Sequence, residues 1–225
     1  MKFNWLFTCL PRFNLAYCRL IACTLLTLSV LPLNAQAIHP ATILVLGDSL
    51  SAGYGLARGE EWVNLLGLRL KEQGFDYKII NASVSGETTR GGLGRIDAAL
   101  QQHSPTIVIL ELGANDGLRG LDLQSMRRNL QTMIQKIQHN KAKVVLVGMR
   151  IPPNYGQTYA DGFHHTFRDL AQSKSIPYVP FLLEGIAEKP EYFQPDRLHP
   201  TAAAQSILLE NVWKRLKPIL TSPKR

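Results

Sequence analysis

Five short apolar runs, each parted from the next by a segment with helical period, leave this chain few folds to adopt. The runs are TILVLG (42–47), YKIINA (77–82), TIVILEL (106–112), KVVLVGM (143–149) and PYVPFL (177–182). They are rich in Val, Ile and Leu and show little polar alternation, which suits strands covered on both faces. Between them, residues 122–138 place Leu123, Met126, Leu130, Met133, Ile134 and Ile137 at three- and four-residue spacing, one apolar stripe of a helix. Segments 60–73, 88–102, 160–174 and 200–219 behave in the same way.

Strand, helix and strand in repetition imply parallel pairing, and right-handed crossovers distribute the helices over both faces of the sheet. The expected fold is α/β: a three-layer α/β/α sandwich around a five-stranded parallel sheet, flavodoxin-like in architecture. Ligands of such sheets sit beyond the carboxyl ends of the strands, where the strand order reverses. The residues just after each run are therefore the ones that bear on chemistry.

Residues 1–37 fall outside this pattern. Lys2, Arg12 and Arg19 supply a positive start without any acid, LIACTLLTLSVL (20–31) is an apolar core, and AQA (35–37) has the small-x-small form of a cleavage site. That is the plan of an exported signal peptide, and it predicts a single mature domain from residue 38 to 225. The uncharged apolar stretch after Arg19 is shorter than the roughly 18 to 20 residues a membrane-spanning helix needs. A lipoprotein-like LIAC (20–23) is also present, but its apolar run follows Cys23 where it should precede it.

All three cysteines, at positions 9, 18 and 23, lie within this leader. The mature domain can form no disulfide, so its stability has to come from its core. Cleavage also removes three basic residues and no acidic one, lowering the formal charge from +8 to +5. The remaining cations are spread along the chain with no basic block, which argues against a nucleic-acid partner.

The strand exits read as follows: Gly47-Asp48-Ser49 after the first run, NASVSGETT (81–89) after the second, GANDG (113–117) after the third, RIPPNYG (150–156) after the fourth, and DRLHP (196–200) before the last helix. Each supplies a part that acyl transfer requires. A serine hydroxyl is a weak nucleophile until a base takes its proton, and an imidazole base needs a carboxylate to fix its tautomer. Ser49 can be that nucleophile, with His199 as base and Asp196, three residues away, as its support. Pro200 is compatible with a first helical turn there. A tetrahedral intermediate also needs donors for its oxyanion, and the backbone N–H groups of Ser49 and Gly86 with the side-chain amide of Asn115 are the candidates.

Other residues of the rim have simpler readings. Asp48 and Asp116 suit turns, where a carboxylate binds nearby backbone N–H groups. His164 and His165 are neighbours within a helix and point apart, which argues against a shared metal. A metal-dependent hydrolase built on Asp48, Asp116, Asp196 and His199 would lack a ligand-spacing motif and leave Gly86 and Asn115 without a purpose. A non-catalytic flavodoxin-like binding module would have no use for Ser49, Asp196 and His199 together. A G-x-S-x-G elbow, the mark of α/β-hydrolases, is missing from the sequence.

Taken together, GDSLSAGYG, SVSGETT, GANDG and DRLHP resemble, in order, the four blocks of the SGNH (GDSL) hydrolase family. The likeness runs from about Thr42 to Leu220 and is strongest to the secreted multifunctional bacterial esterases of that family. Carried over by position, it implies Ser49 as nucleophile, Gly86 and Asn115 as oxyanion donors, and His199 as base supported by Asp196. It implies hydrolysis of fatty acyl esters and thioesters (thioesterase, lysophospholipase and arylesterase activities), with an acetyl esterase of carbohydrates as the alternative within the family. No cofactor or metal is expected. The expected partner is a small acyl substrate, with a monomer as the default state and no stable membrane anchor, and the export signal read in residues 1–37 points to the periplasm. The resemblance further implies that residues 116–121 and 152–155 border the acyl-binding groove, and Leu118, Leu121 and Ile151 favour a fatty chain there.

Overall fold

The computed structural model describes residues 41–221; the expected leader, 1–37, lies outside them. Five strands form one sheet: β1 (Ala41–Gly47), β2 (Tyr77–Asn81), β3 (Ile107–Glu111), β4 (Lys143–Val147) and β5 (Tyr178–Val179). The order is β2-β1-β3-β4-β5, parallel throughout. The central strands β1 and β3 are buried along most of their length, as their unbroken apolar runs require. The edge strand β2 is only half-buried.

Seven α-helices lie among the described residues: α1 (Ser49–Ala52), α2 (Trp62–Glu72), α3 (Thr89–His103), α4 (Ala114–Leu118), α5 (Leu123–His139), α6 (Gln157–Lys174) and α7 (Gln205–Leu216). The chain moves from β1 outward to β2, then returns past β1 to β3 and continues the other way. A right-handed crossover therefore puts α2 on one face of the sheet and α3, α5 and α6 on the other. Helix α2 packs against α7, and α3 and α6 each pack against α5. The result is the expected three-layer sandwich. Among the described residues no helix is long and apolar enough to cross a membrane.

Two expectations are corrected. The run 177–182 contributes only Tyr178 and Val179 to the sheet, because Pro177 and Pro180 bracket the pair and neither carries an N–H for the ladder. Pro200 does not open the last helix. It forms an isolated antiparallel bridge with Phe193, a 3-10 turn follows at Ala202–Ala204, and α7 begins at Gln205. The 194–200 segment is thus a closed loop with its own hydrogen bonds rather than a helix entrance.

The reversal of strand order falls at the β1/β3 pair, whose registered ends are Gly47 and Glu111. Segments 48–52 and 112–118 leave the sheet side by side at that point, and this adjacency assembles the site.

Candidate active site

Asp48 caps the helix that follows β1: its Oδ1 accepts from the N–H of Leu50 at 3.0 Å. A cap of this kind satisfies an orphan donor and fixes where the helix starts, so Ser49 stands at the first position of α1, at the end of the strand. Beneath it, the Glu111 carboxylate accepts from Ser51 Oγ at 2.7 Å and from the N–H of Asp48 at 3.2 Å. Gly47 makes room for this, since a Cβ there would come within 2.6 Å of Glu111 Oε2. Asp48 and Glu111 are both buried. Burial pushes Asp48 up to about 6, and burial with the neighbouring Asp48 charge holds Glu111 well above the usual carboxylate range.

Ser49 Oγ lies 2.9 Å from His199 Nε2, and His199 Nδ1 lies 2.7 Å from Asp196 Oδ2. Asp196 Oδ1 also accepts from the backbone N–H groups of His199 and Leu198, at 3.0 and 2.9 Å. The His199 backbone N–H, the His199 ring and the Leu198 N–H together hold Asp196 down to about 2. An ionised carboxylate is an acceptor only, so the ring must carry its proton on Nδ1 and present a bare Nε2 to the serine. Such a row can withdraw a proton from a hydroxyl as it attacks a carbonyl. The Tyr54 ring packs over the imidazole, with centroids 4.4 Å apart.

Asn115, in α4, is 3.1 Å from Asp48 Oδ2 and 3.0 Å from the Glu87 carbonyl through its Nδ2. Both neighbours are acceptors, which fixes the amide orientation. The Glu87 carboxylate is gripped by Arg95. Gly86 adopts φ +78°, a left-handed conformation natural to glycine, and its carbonyl accepts from Arg119 Nη2 at 2.9 Å. Ser49, Gly86, Asn115 and His199 all line one cleft of about 720 Å³. Its walls are largely apolar, with Leu118, Met149, Ile151, Phe181 and Leu183 among them.

The sequence-derived candidates Ser49, Gly86, Asn115 and His199 therefore converge, with Asp196 behind the histidine. Asp116 lies apart, both of its oxygens taken by the N–H and hydroxyl of Thr89 at 2.8 and 2.6 Å. With Asp116 so committed and Asp48 bound to Leu50 and Asn115, the acids of the metal-dependent reading do not converge on a common point. Of the apolar residues read for the groove, Leu118 and Ile151 line it, whereas Leu121 does not and is exposed instead. Sequence reasoning missed Glu111, Tyr54 and Gln194. Glu111 carried a weak signal, an acid ending an otherwise apolar strand run.

A three-layer α/β/α domain with a Ser-His-Asp row at the switch point defines a class of serine ester hydrolases. Residues 45–207 match the GDSL-like Lipase/Acylhydrolase family. The chain is 45% identical to the Esterase TesA of Pseudomonas aeruginosa, over 84% of this chain and 94% of that one. It is 37% identical to the Thioesterase 1/protease 1/lysophospholipase L1 of Escherichia coli K12, over 84% and 89%. Among solved structures, the psychrotrophic esterase EstA from Pseudoalteromonas sp., inhibited by monoethylphosphonate, superposes with a TM-score of 0.74 at 41% identity, covering 79% of this chain and 97% of that chain. The chain belongs to the GDSL (SGNH) hydrolase family and is a serine ester hydrolase.

Proposed function

We propose that the protein hydrolyses carboxylic esters and thioesters of fatty acyl chains through an acyl-enzyme on Ser49. His199 takes the Ser49 proton as Oγ attacks the acyl carbonyl, and Asp196 stabilises the resulting imidazolium. The oxyanion is received by the N–H groups of Ser49 and Gly86 and by the Asn115 amide, which turns one N–H from the Glu87 carbonyl toward it. The imidazolium then gives its proton to the departing alcohol or thiol. Water, deprotonated by the same ring, attacks the acyl-enzyme, and the acid leaves as Ser49 regains its proton.

The observation that carries this reading is the row Ser49, His199, Asp196, at 2.9 and 2.7 Å, opening into an apolar cleft of acyl-chain character. The apolar walls favour a fatty chain over a sugar acetate. The names of the relatives, esterase and thioesterase/lysophospholipase, point the same way. The leader read in residues 1–37 would export the enzyme across the inner membrane to the periplasm, as a monomer without a stable anchor.

Treatment with a fluorophosphonate, followed by intact-mass analysis and peptide mapping, tests the proposal. A single adduct on Ser49, absent from Ser49→Ala, is the expected result. An adduct elsewhere, or ester turnover retained by Ser49→Ala, overturns it.

A further inference from the structure

Six large apolar side chains are exposed among the described residues, and five of them lie in the loops at the carboxyl end of the sheet, where the cleft opens: Tyr54, Val84, Leu121, Tyr155 and Leu198, each between 39% and 53% exposed. Each comes from a different one of the five segments at the carboxyl end of the sheet, and only Leu68, on α2, lies elsewhere. None hangs from a slack backbone. The N–H of Tyr54 donates to the Ser49 carbonyl, that of Val84 to Gly47, that of Leu121 to Asp116 and that of Tyr155 to Pro152, while that of Leu198 donates to the Asp196 carboxylate. The side chains are held outward by fixed turns, and exposed apolar groups gathered at one opening mark an interaction site.

We propose that this collar docks the enzyme on a lipid surface, from which the acyl substrate enters the cleft; the proposal rests on the fatty-acyl reading above. The position of the collar selects the occupant. A protein seated on a ring around the cleft would seal it, whereas a lipid layer would bring an acyl ester to its mouth. The ring is continuous with the apolar walls of the cleft, since Tyr54 and Leu198 belong to both. A chain leaving the layer would thus pass between apolar surfaces with little exposure to water. The same segments carry exposed cations at 58, 119, 150, 189 and 197 and exposed acids at 60, 122, 184, 188, 191 and 196. With the signs mixed, the apolar side chains dominate the docking and anionic lipid is not required.

The test uses the mature protein and vesicles of ether-linked phosphatidylcholine, which contain no ester to cleave. Wild type is expected to co-sediment with them, and Val84→Ser with Leu121→Ser to weaken this by about tenfold, the scale expected for two half-exposed apolar side chains. Neither residue lines the cleft. The double variant should therefore hydrolyse a water-soluble short-chain aryl ester at the wild-type rate, while losing most of its rate on micellar lysophosphatidylcholine. Failure of wild type to co-sediment overturns the proposal, as does equal activity of variant and wild type on micelles. So does a lipid-free, concentration-dependent dimer of the wild type that the double variant loses, because a second copy would then be the occupant. Retention of soluble-ester turnover by Ser49→Ala is a separate outcome, since it overturns the acyl-enzyme reading while the co-sedimentation result still reports on docking.

Discussion

The side-chain amide of Gln194 donates to the carbonyl of Tyr54 at 2.7 Å, across 140 residues of sequence. The same nitrogen is 3.1 Å from the Pro200 carbonyl, and the Gln194 backbone N–H donates to the His199 carbonyl at 2.8 Å. One residue thus closes the loop bearing Asp196 and His199 and fastens it to the segment that follows Ser49. The fit is tight: a Cβ at Gly55 would approach Gln194 Oε1 to 2.1 Å.

If Gln194 sets the distance between Ser49 and His199, removing its N–H donors should slow chemistry more than binding. Misplacing a reacting group by about an ångström can cost up to roughly a hundredfold in rate. Gln194→Glu and Gln194→Met, similar in size but without the donors, are expected to lose about ten- to a hundredfold in kcat with KM within about twofold, because the cleft walls are untouched. Steady-state kinetics and the rate of fluorophosphonate labelling should fall together. Turnover near that of wild type, or a loss confined to KM, would remove Gln194 from this role.

Asn115 depends on Asp48 in a similar way. Its amide faces Asp48 Oδ2, so Asp48→Asn can keep the Leu50 cap through Oδ1 only by opposing one NH2 group to another. The Asn115 side chain must then turn or shift, and loss of one oxyanion donor costs about a hundred- to a thousandfold in kcat. Asp48→Asn is expected to lose about tenfold or more while remaining folded by circular dichroism, and Asn115→Ala to lose more. Undiminished kcat in Asp48→Asn would show that the contact does not orient the amide.

The sheet was legible because parallel strands have to be apolar where both faces are buried, and residues 43–46 of β1, 107–110 of β3 and 144–147 of β4 are so. Proline blurred β5, whose six-residue run pairs through only two residues. The candidates Ser49, Gly86, Asn115, Asp196 and His199, which the fold brings together, were proposed from sequence because their types match the parts of an acyl-transfer mechanism and because each lies at a strand exit or before the last helix. Gln194 was not. Its role rests on a side-chain bond to a segment 140 positions away and on the absence of a Cβ at Gly55, and neither leaves a local pattern. Pro200 misled because proline suits a first helical turn equally well as the tight loop it occupies.

Glu111 offers a thermodynamic test. It is fully buried beneath α1, and its folded pKa lies well above the ordinary value of 4.5. The folded state therefore holds its proton more tightly than the unfolded chain. The associated stability is present in full below about pH 4.5 and is lost as pH rises through the folded pKa. Asp48 has the same sign over a lower window, between 3.8 and about 6. Glu111→Gln keeps an acceptor for Ser51 and the Asp48 N–H but cannot ionise. Urea unfolding across a pH series should show wild type losing more stability than Glu111→Gln as pH rises past about 4.5, the variant keeping the Asp48 loss up to about pH 6. Glu111→Ala leaves two buried donors without partners, at about 1 to 3 kcal/mol for each group, so it should be destabilised by several kcal/mol at every pH. Wild type and Glu111→Gln profiles with the same slope across the whole series would mean that Glu111 does not hold its proton in the folded protein.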